Sequence, residues 1–542
     1  MSREYDYVIA GAGSAGCVLA CRLSEDPQTR VLLLEAGGRD TDPLIHIPLG
    51  VGKMWKERRH DWGYNTEPEE QLNRRSIELP RGKVLGGSSS INAMLYVRGN
   101  RGDYDRWARA GASGWSFADV LPYFKRSESW QGGTNAWRGG SGPVGTDYTD
   151  PVDPIAEAVL AAARSAGVGN SNDYNGEVQE GFARSQSTVC RGRRASAAVG
   201  YLRPAMRRAN LTVRTNALAT RVLLEANRAV GIEYLHDGRT EQAHAAREVL
   251  ISGGAINSPQ LLMLSGIGDG AQLRAHGIGC AVHLPGVGAN LQDHLFVRVG
   301  SVRKGESPQR RALRLDRLAL AMLQAYFLGS GPATRVPGPV MGFFRTRPDC
   351  KVPDIQLGFR SLGVNARPWW PGFGPGWRDD FSLLVALLHP ESRGRVGLAS
   401  ADPRRPVRIF TNFLSAPADA DTLLRGIRLA REIARQPPLD PFRGEEILPG
   451  AAAQSDAELL AYVRSAASTF HHASGTCRIG NDEMAVVDAQ LRVRGCERLR
   501  VVDASVMPDL VSGNTNACAL MIAERASDLI RGRAPLVAGS GP

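Results

Sequence analysis

Lysine is nearly missing from this chain: it supplies six of 542 residues. The net charge of +11 is therefore carried almost wholly by arginine. The arginines are scattered, and the densest cluster, Arg191 to Arg194, is short. Dispersed charge of this kind reads as compositional bias and argues against a nucleic-acid-binding stripe; loose, peripheral association with an acidic membrane surface is kept as an alternative. Long apolar runs are lacking too. None reaches the roughly 18 residues of a membrane span. The first apolar strand begins within a few residues of Met1, leaving no room for a signal peptide, and a cytoplasmic protein is expected. None of the eight cysteines forms a CxxC pair, and Cys17 and Cys21, one helical turn apart, suit a core. The ten histidines show no ligand spacing. On a strand the adjacent His471 and His472 would face opposite sides. Neither a metal site nor a structural disulfide is expected.

What is present begins with Tyr7-Val8-Ile9-Ala10-Gly11-Ala12-Gly13-Ser14-Ala15-Gly16. An apolar strand runs into Gly-x-Gly-x-x-Gly, and Cys17 to Leu23 continues with helical spacing. Val31 to Leu34 is a second strand ending in Glu35, 19 residues after Gly16. This is the dinucleotide-binding βαβ pattern. The glycines permit the turn, the approach of a pyrophosphate and close helix packing, and the helix N-terminus favours the phosphates. An acid at Glu35 suits a ribose hydroxyl and disfavours a 2′-phosphate; NAD and FAD both remain open at this point.

A second glycine- and serine-rich segment, Arg81 to Met94, is read as a loop that wraps a cofactor with backbone N–H groups and feeds a helix from Ile91. Residues 131–150 read as an exposed connection, Pro154 to Ala166 and Tyr201 to Arg208 as helices, and 211–214, 220–225 and 229–234 as strands. Glu248 to Gln260 reads as strand, glycine turn and helix start, with Asn257 or Ser258 as N-cap and Pro259 at the first helical position. Arg311 to Leu328 is an amphipathic helix. Pro353 to Leu357 and Phe381 to Val385 look like strands of a separate sheet. Between them the aromatic stretch Arg367 to Trp377 is equally a substrate lid or a packed surface loop. Leu499 to Asp503 is a strand ending in an acid, and Asn514 to Ile530 enters a long helix. The nucleotide fold thus closes with C-terminal chain. The expected class is α/β (α+β overall), a Rossmann-like cofactor domain with an inserted substrate domain. The cofactor domain takes residues 1–150, 205–300 and 455–542; the substrate domain takes 151–204 and 301–454.

Four separated blocks now resemble the glucose–methanol–choline (GMC) oxidoreductases, which are FAD-dependent alcohol dehydrogenases and oxidases. They are Gly11 to Gly16 with Glu35; Arg81 to Met94; Gly254 to Gly268; and His472 to Thr476 with Asp503 to Pro508 and Asn514 to Asn516. The resemblance implies that the substrate domain is built on an antiparallel sheet and that FAD is bound. Its ADP half would lie on Gly11, Gly13, Ser14, Ala15 and Gly16, with the ribose at Glu35 and Ala36 and the adenine at the backbone of Val222. Arg81, Gly82, Val84, Gly87 and Ser88 would wrap the cofactor, with Asn92, Ala93, Met94 and Leu95 following towards the flavin. Asp503 and Ala504 match the second pyrophosphate and ribitol contact, and Asn514, Thr515 and Asn516 the flavin end. The slot where some members carry a flavin-linking histidine is Ile91, so FAD is expected to be non-covalent.

The implied reaction is oxidation of a primary alcohol to an aldehyde, with hydride transfer to flavin N5. His472, in the His-x-x-Gly-Thr register, is the expected base, Asn514 the second polar group on the alcohol oxygen, and His471 a cofactor neighbour. An uncharged aliphatic or aryl alcohol is favoured. Choline is the alternative, weakened because Gly338 to Phe344 carries no acid for a quaternary ammonium. A fatty-acid photodecarboxylase lacks its cysteine in Leu362 to Ala366; a hydroxynitrile lyase and a non-enzymatic flavin binder complete the alternatives. The acceptor is oxygen or a quinone-like oxidant, and the oligomeric state is left open.

Overall fold

The computed structural model describes residues 4–149, 152–336, 338–363, 366–373 and 377–537. Two seven-stranded sheets carry the molecule. In the first, Glu4–Ala10 lies between Val31–Leu34 and Arg239–Ile251, parallel to both. Leu211–Arg214 and Leu499–Val501 extend the parallel part. Arg228–His236 and Ala217–Glu225 add antiparallel strands. Such a sheet is buried on both faces, and Val8, Ile9, Leu32, Leu33 and Val249 are accordingly without exposure.

The second sheet is antiparallel throughout. Its order is Arg443–Leu448, Leu295–Arg303, Asp380–Leu387, Ile355–Arg360, Val340–Phe344 and Gly181–Arg184, with Ser468–Thr469 also on Leu295–Arg303. The fold class is thus a mixed Rossmann-like sheet joined to an antiparallel one. Strand Leu295–Arg303 follows directly on His294 and pairs throughout within the second sheet.

Four local expectations are corrected. Helix Gly254–Leu264 begins at Gly254, with Gly253 as cap, so Asn257, Ser258 and Pro259 are inside it. Pro259 has no N–H for the Ala255 carbonyl; the Thr476 hydroxyl donates to that oxygen instead, at 2.6 Å. The second glycine loop does not feed a helix. After the turn Gly87–Ser90 the chain runs without a helix to Asn100, and the next helix is Arg101–Arg109. Met94 there has a positive φ of 63°, and Arg194 donates to the carbonyls of Ser89 and Asn92, which helical N–H groups would otherwise take. Residues 131–149 are not simply exposed. Val144–Tyr148 is a strand, and Arg138 is fully buried between Glu128 and Asp173. Finally, 311–328 is two helices, Pro308–Ala312 and Leu315–Leu328. The second buries Ala321 and Ala325 and turns its large apolar side chains outward.

Candidate active site

A single cleft runs between the fingerprint, the second glycine loop and the C-terminal helix. Its floor is built by backbone packing. A Cβ on Gly16 would stand 1.9 Å from the Gly11 carbonyl, and one on Gly87 2.7 Å from Gly13 Cα. The Gly86 N–H donates to Ala12 O at 2.8 Å, so the two loops, over 70 residues apart, form one cradle. Helices Ser14–Leu23 and Asn516–Ile530 bring their N-termini together, with Ser14 Oγ donating to Asn516 Oδ1 at 2.7 Å. Positive dipole ends and free N–H groups therefore face the cleft, an environment for phosphates and an electron-rich ring.

Glu35 is 5% exposed; its carboxylate accepts the N–H groups of Ala12 (2.9 Å) and Gly37 (2.8 Å). Burial raises its pKa to about 7 despite these bonds. Each oxygen has a further lone pair, and the side chain lines the cleft where ribose hydroxyls would donate. Asp503 accepts from Gly254 N, Ser258 Oγ and Ser505 N, so it ties helix Gly254–Leu264 to the C-terminal strand.

At the other end stand the two histidines. His471 has a positive φ of 68°, which turns it from the path of its neighbour. Its ring meets Trp55 edge-on at 5.6 Å, and its Nδ1 has no partner. His472 is bonded through both ring nitrogens: Nδ1 to His294 Nδ1 at 2.8 Å, Nε2 to the Asn514 amide nitrogen at 3.0 Å. His294 Nε2 lies 3.0 Å from the Leu388 carbonyl, which only accepts, so that nitrogen carries hydrogen. Burial pushes the His294 pKa down to about 3, so the ring is neutral and its Nδ1 accepts. His472 must then hold its proton on Nδ1, leaving the Nε2 lone pair to the cleft. Burial, with the neighbouring histidines and Arg81, holds His472 itself well below the usual range. Behind it Asp293 accepts the His472 N–H at 2.7 Å and the Thr469 hydroxyl; burial raises this carboxyl to about 6.

Most expected site residues meet in this cleft. Gly11, Gly13, Ser14, Ala15, Glu35 and Ala36 line one end; Arg81, Gly82, Gly87, Ser88 and Asn92 to Leu95 line the wall. His471, His472, Asp503, Ala504 and Asn514 to Asn516 close the other end. Three stand outside it. Gly16 packs beneath Gly11, and Val84 is buried in a separate cluster with Ile45 and Ile91. Val222 donates its N–H to Ser265 Oγ at 2.8 Å, and the wall in its place is Ala217, Leu218 and Ala219. The register slips around Ala219 and Arg221, where no periodicity argument locates it. Trp55, Trp62, Phe470 and His294 were not anticipated. His294 follows Asp293 in an ordinary apolar stretch and carries no spacing signal.

The cleft suits FAD on its own features: a glycine cradle closed to Cβ atoms, two helix N-termini, a buried acid at one end, and at the other the unpartnered polar atoms Arg81 Nε, His471 Nδ1 and Asn514 Oδ1. The GMC oxidoreductase models match residues 5–296 and 390–523. Choline dehydrogenase, mitochondrial, of Mus musculus is 44% identical over 98% of this chain and 90% of its own length. Oxygen-dependent choline dehydrogenase of Burkholderia multivorans is 45% identical over 100% of this chain and 96% of its own. Pyridoxine 4-oxidase from Mesorbium loti superposes with a TM-score of 0.87 at 31% identity, covering 98% of this chain and 100% of that one. Formate oxidase of Aspergillus oryzae gives 0.89 at 26%, covering 98% and 99%. The chain belongs to the GMC oxidoreductase family, and it is an FAD-dependent enzyme that oxidises a CH–OH donor.

Proposed function

We propose that the chain converts a non-cationic primary alcohol to its aldehyde, with His472 as base and Asn514 as second hydrogen-bonding group. The fixed tautomer of His472 carries this reading. The His294 relay leaves Nε2 as the lone-pair nitrogen facing the cleft, where an alcohol O–H can donate. The Asn514 amide now on Nε2 gives way to the substrate and turns to the alcohol oxygen as its proton leaves. Bound FAD supplies the hydride acceptor. We assign it as non-covalent, with Ile91 in place of a linking side chain, and expect acid precipitation to release all the flavin.

The charges support a non-cationic substrate. The acids among the described lining residues, Glu35 and Asp503, are engaged by backbone N–H groups, whereas Arg81 still has open donors. Choline, named for the relatives, would find no open carboxylate for its ammonium among these residues. Anaerobic bleaching of the flavin by 1-hexanol, benzyl alcohol and choline tests the reading. Fastest bleaching by choline overturns it. Oxygen, after the names of the bacterial relatives, is the proposed acceptor, and reoxidation by air checks it.

We also assign the outward face of helix Leu315–Leu328 to an anionic bilayer surface. Leu320, Leu323 and Phe327 are exposed along it, Phe327 by 69%, and Phe373 of the aromatic loop by 79%. Trp369 Nε1 donates to Arg310 O, which fixes that loop beside the helix start. Exposed Arg311, Arg317 and Arg193 border the patch, Arg193 donating to the Tyr326 carbonyl. A two-fold contact between copies would set this arginine rim against itself, whereas anionic lipid complements it. Flotation with phosphatidylglycerol vesicles should carry the protein. Dimerisation without flotation would overturn the assignment.

A further inference from the structure

Alternation divides the second sheet into a core face and a site face. On Leu295–Arg303 the side chains of Leu295, Val297 and Val299 enter the core, so His294, Phe296 and Arg298 point the other way. His294 touches His472; Phe296 lies 5.1 Å from the Phe470 ring, which is 5.2 Å from His472. Arg298 is the next member of this row. On Ile355–Arg360, residues Ile355, Leu357 and Phe359 are core, which leaves Gln356, Gly358 and Arg360 on the site face. The strand between them sets the register. Arg298 is opposite Leu384, itself opposite Gly358; Arg360 is opposite Ser382, itself opposite Gly300. Two arginines thus stand at diagonal corners of a patch whose other two corners are glycines.

Both arginines are half-buried, and among the described residues neither guanidinium donates a hydrogen bond or forms an ion pair. Arg298 has the Phe296 ring at 5.8 Å, and Asp380, further along the same face, offsets part of its charge. Burial and the charge of Arg298 lower the Arg360 pKa to about 10, and the charge of Arg360 in turn helps depress that of His471. Gln356 Oε1 and Ser382 Oγ, on the same face, are buried without partners. Like charges withdrawn from water with only partial compensation are costly. A guanidinium fork matches a carboxylate in both charge and geometry.

We propose that the alcohol oxidised carries a carboxylate, held between Arg298 and Arg360 while its hydroxyl lies at His472 and Asn514. The inference rests on the reading of His472 and Asn514 as the oxidising site, and it names the substrate class. From His294 to Arg298 the row covers about 13 Å of strand. The two functions therefore sit at opposite ends of the molecule, as in an ω-hydroxy acid, and not on adjacent carbons.

The test uses holoenzyme mixed anaerobically with 6-hydroxyhexanoate or 1-hexanol. Wild type should bind the hydroxy acid at least about 10-fold more tightly, judged by the concentration dependence of flavin bleaching. Arg298→Met and Arg360→Met keep the apolar stem; each should weaken the hydroxy acid by about 10-fold or more and leave 1-hexanol unchanged. Hexanoate, which cannot react, should compete with 1-hexanol and raise Tm in wild type, and do neither in the variants. Arg360→Lys, which keeps the charge, should recover part of the preference and guards against a folding defect. Equal affinity for acid and alcohol, or equal loss of both in the variants, overturns the proposal. If no alcohol bleaches the flavin, the oxidation reading fails, while the hexanoate Tm shift still decides the anion site.

Discussion

The proposed base, His472, depends on what stands behind it. A lone buried histidine has two tautomers, and only one presents a lone pair to the cleft. His294 removes that choice by accepting at Nδ1 while it donates to Leu388 O. His472→Ala should slow flavin reduction about 10²-fold or more with FAD retained; an unchanged rate in rapid mixing excludes it as base. His294→Leu releases the tautomer without touching substrate, and a loss of about 10-fold in the same reduction step, with unchanged flavin content, is expected. Glu35 has a separate signature. Its pKa is about 7 folded against 4.5 for the free side chain, so between these values the folded protein holds the extra proton. Stability of the flavin-free protein is then fully present below about 4.5 and falls as pH rises through 7. The Tm of wild type should drop relative to Glu35→Gln across that window; a constant difference would refute the assignment.

At the scale of elements, the cleft depends on contacts between distant segments. Helix Gly254–Leu264 tolerates Pro259 because Thr476, from the C-terminal block, satisfies Ala255 O. Thr476→Val leaves that buried carbonyl unpaired and should cost about 1–3 kcal/mol, read as a lowered Tm; Thr476→Ser should not. Asp503 binds the same helix start, so strand, helix and flavin-end loop are set by one another. The fingerprint was legible because its turn, helix and acid lie within 35 residues and obey local rules. The second loop was legible as a cradle but not in its exit. Arg194, a hundred residues away, decides that exit by taking the loop carbonyls.

At the scale of the whole molecule, the row His294, Phe296 and Arg298 runs from His472 along one face of the second sheet. Under the proposed assignment, the exposed apolar helix would orient the molecule on a bilayer surface. Flotation with anionic vesicles should weaken as salt rises, since the arginine rim is screened. Leu323→Glu with Phe327→Glu should abolish it at every salt concentration while alcohol-driven bleaching in solution stays the same; flotation by the double variant would contradict the surface named here.

The sequence alone determined the cofactor fingerprint, the pairing of apolar strands with glycine turns, and the blocks that return to one ligand. These follow from short-range sterics and periodicity, which a chain carries locally. Tertiary structure alone decided the tautomer of His472, the inward arginines of the second sheet and the outward face of Leu315–Leu328. Each depends on which distant group stands opposite, and a 3.6-residue period says that a helix has an apolar face but not whether protein or solvent meets it. A strand's alternation likewise separates two faces without naming which one looks onto the flavin cleft.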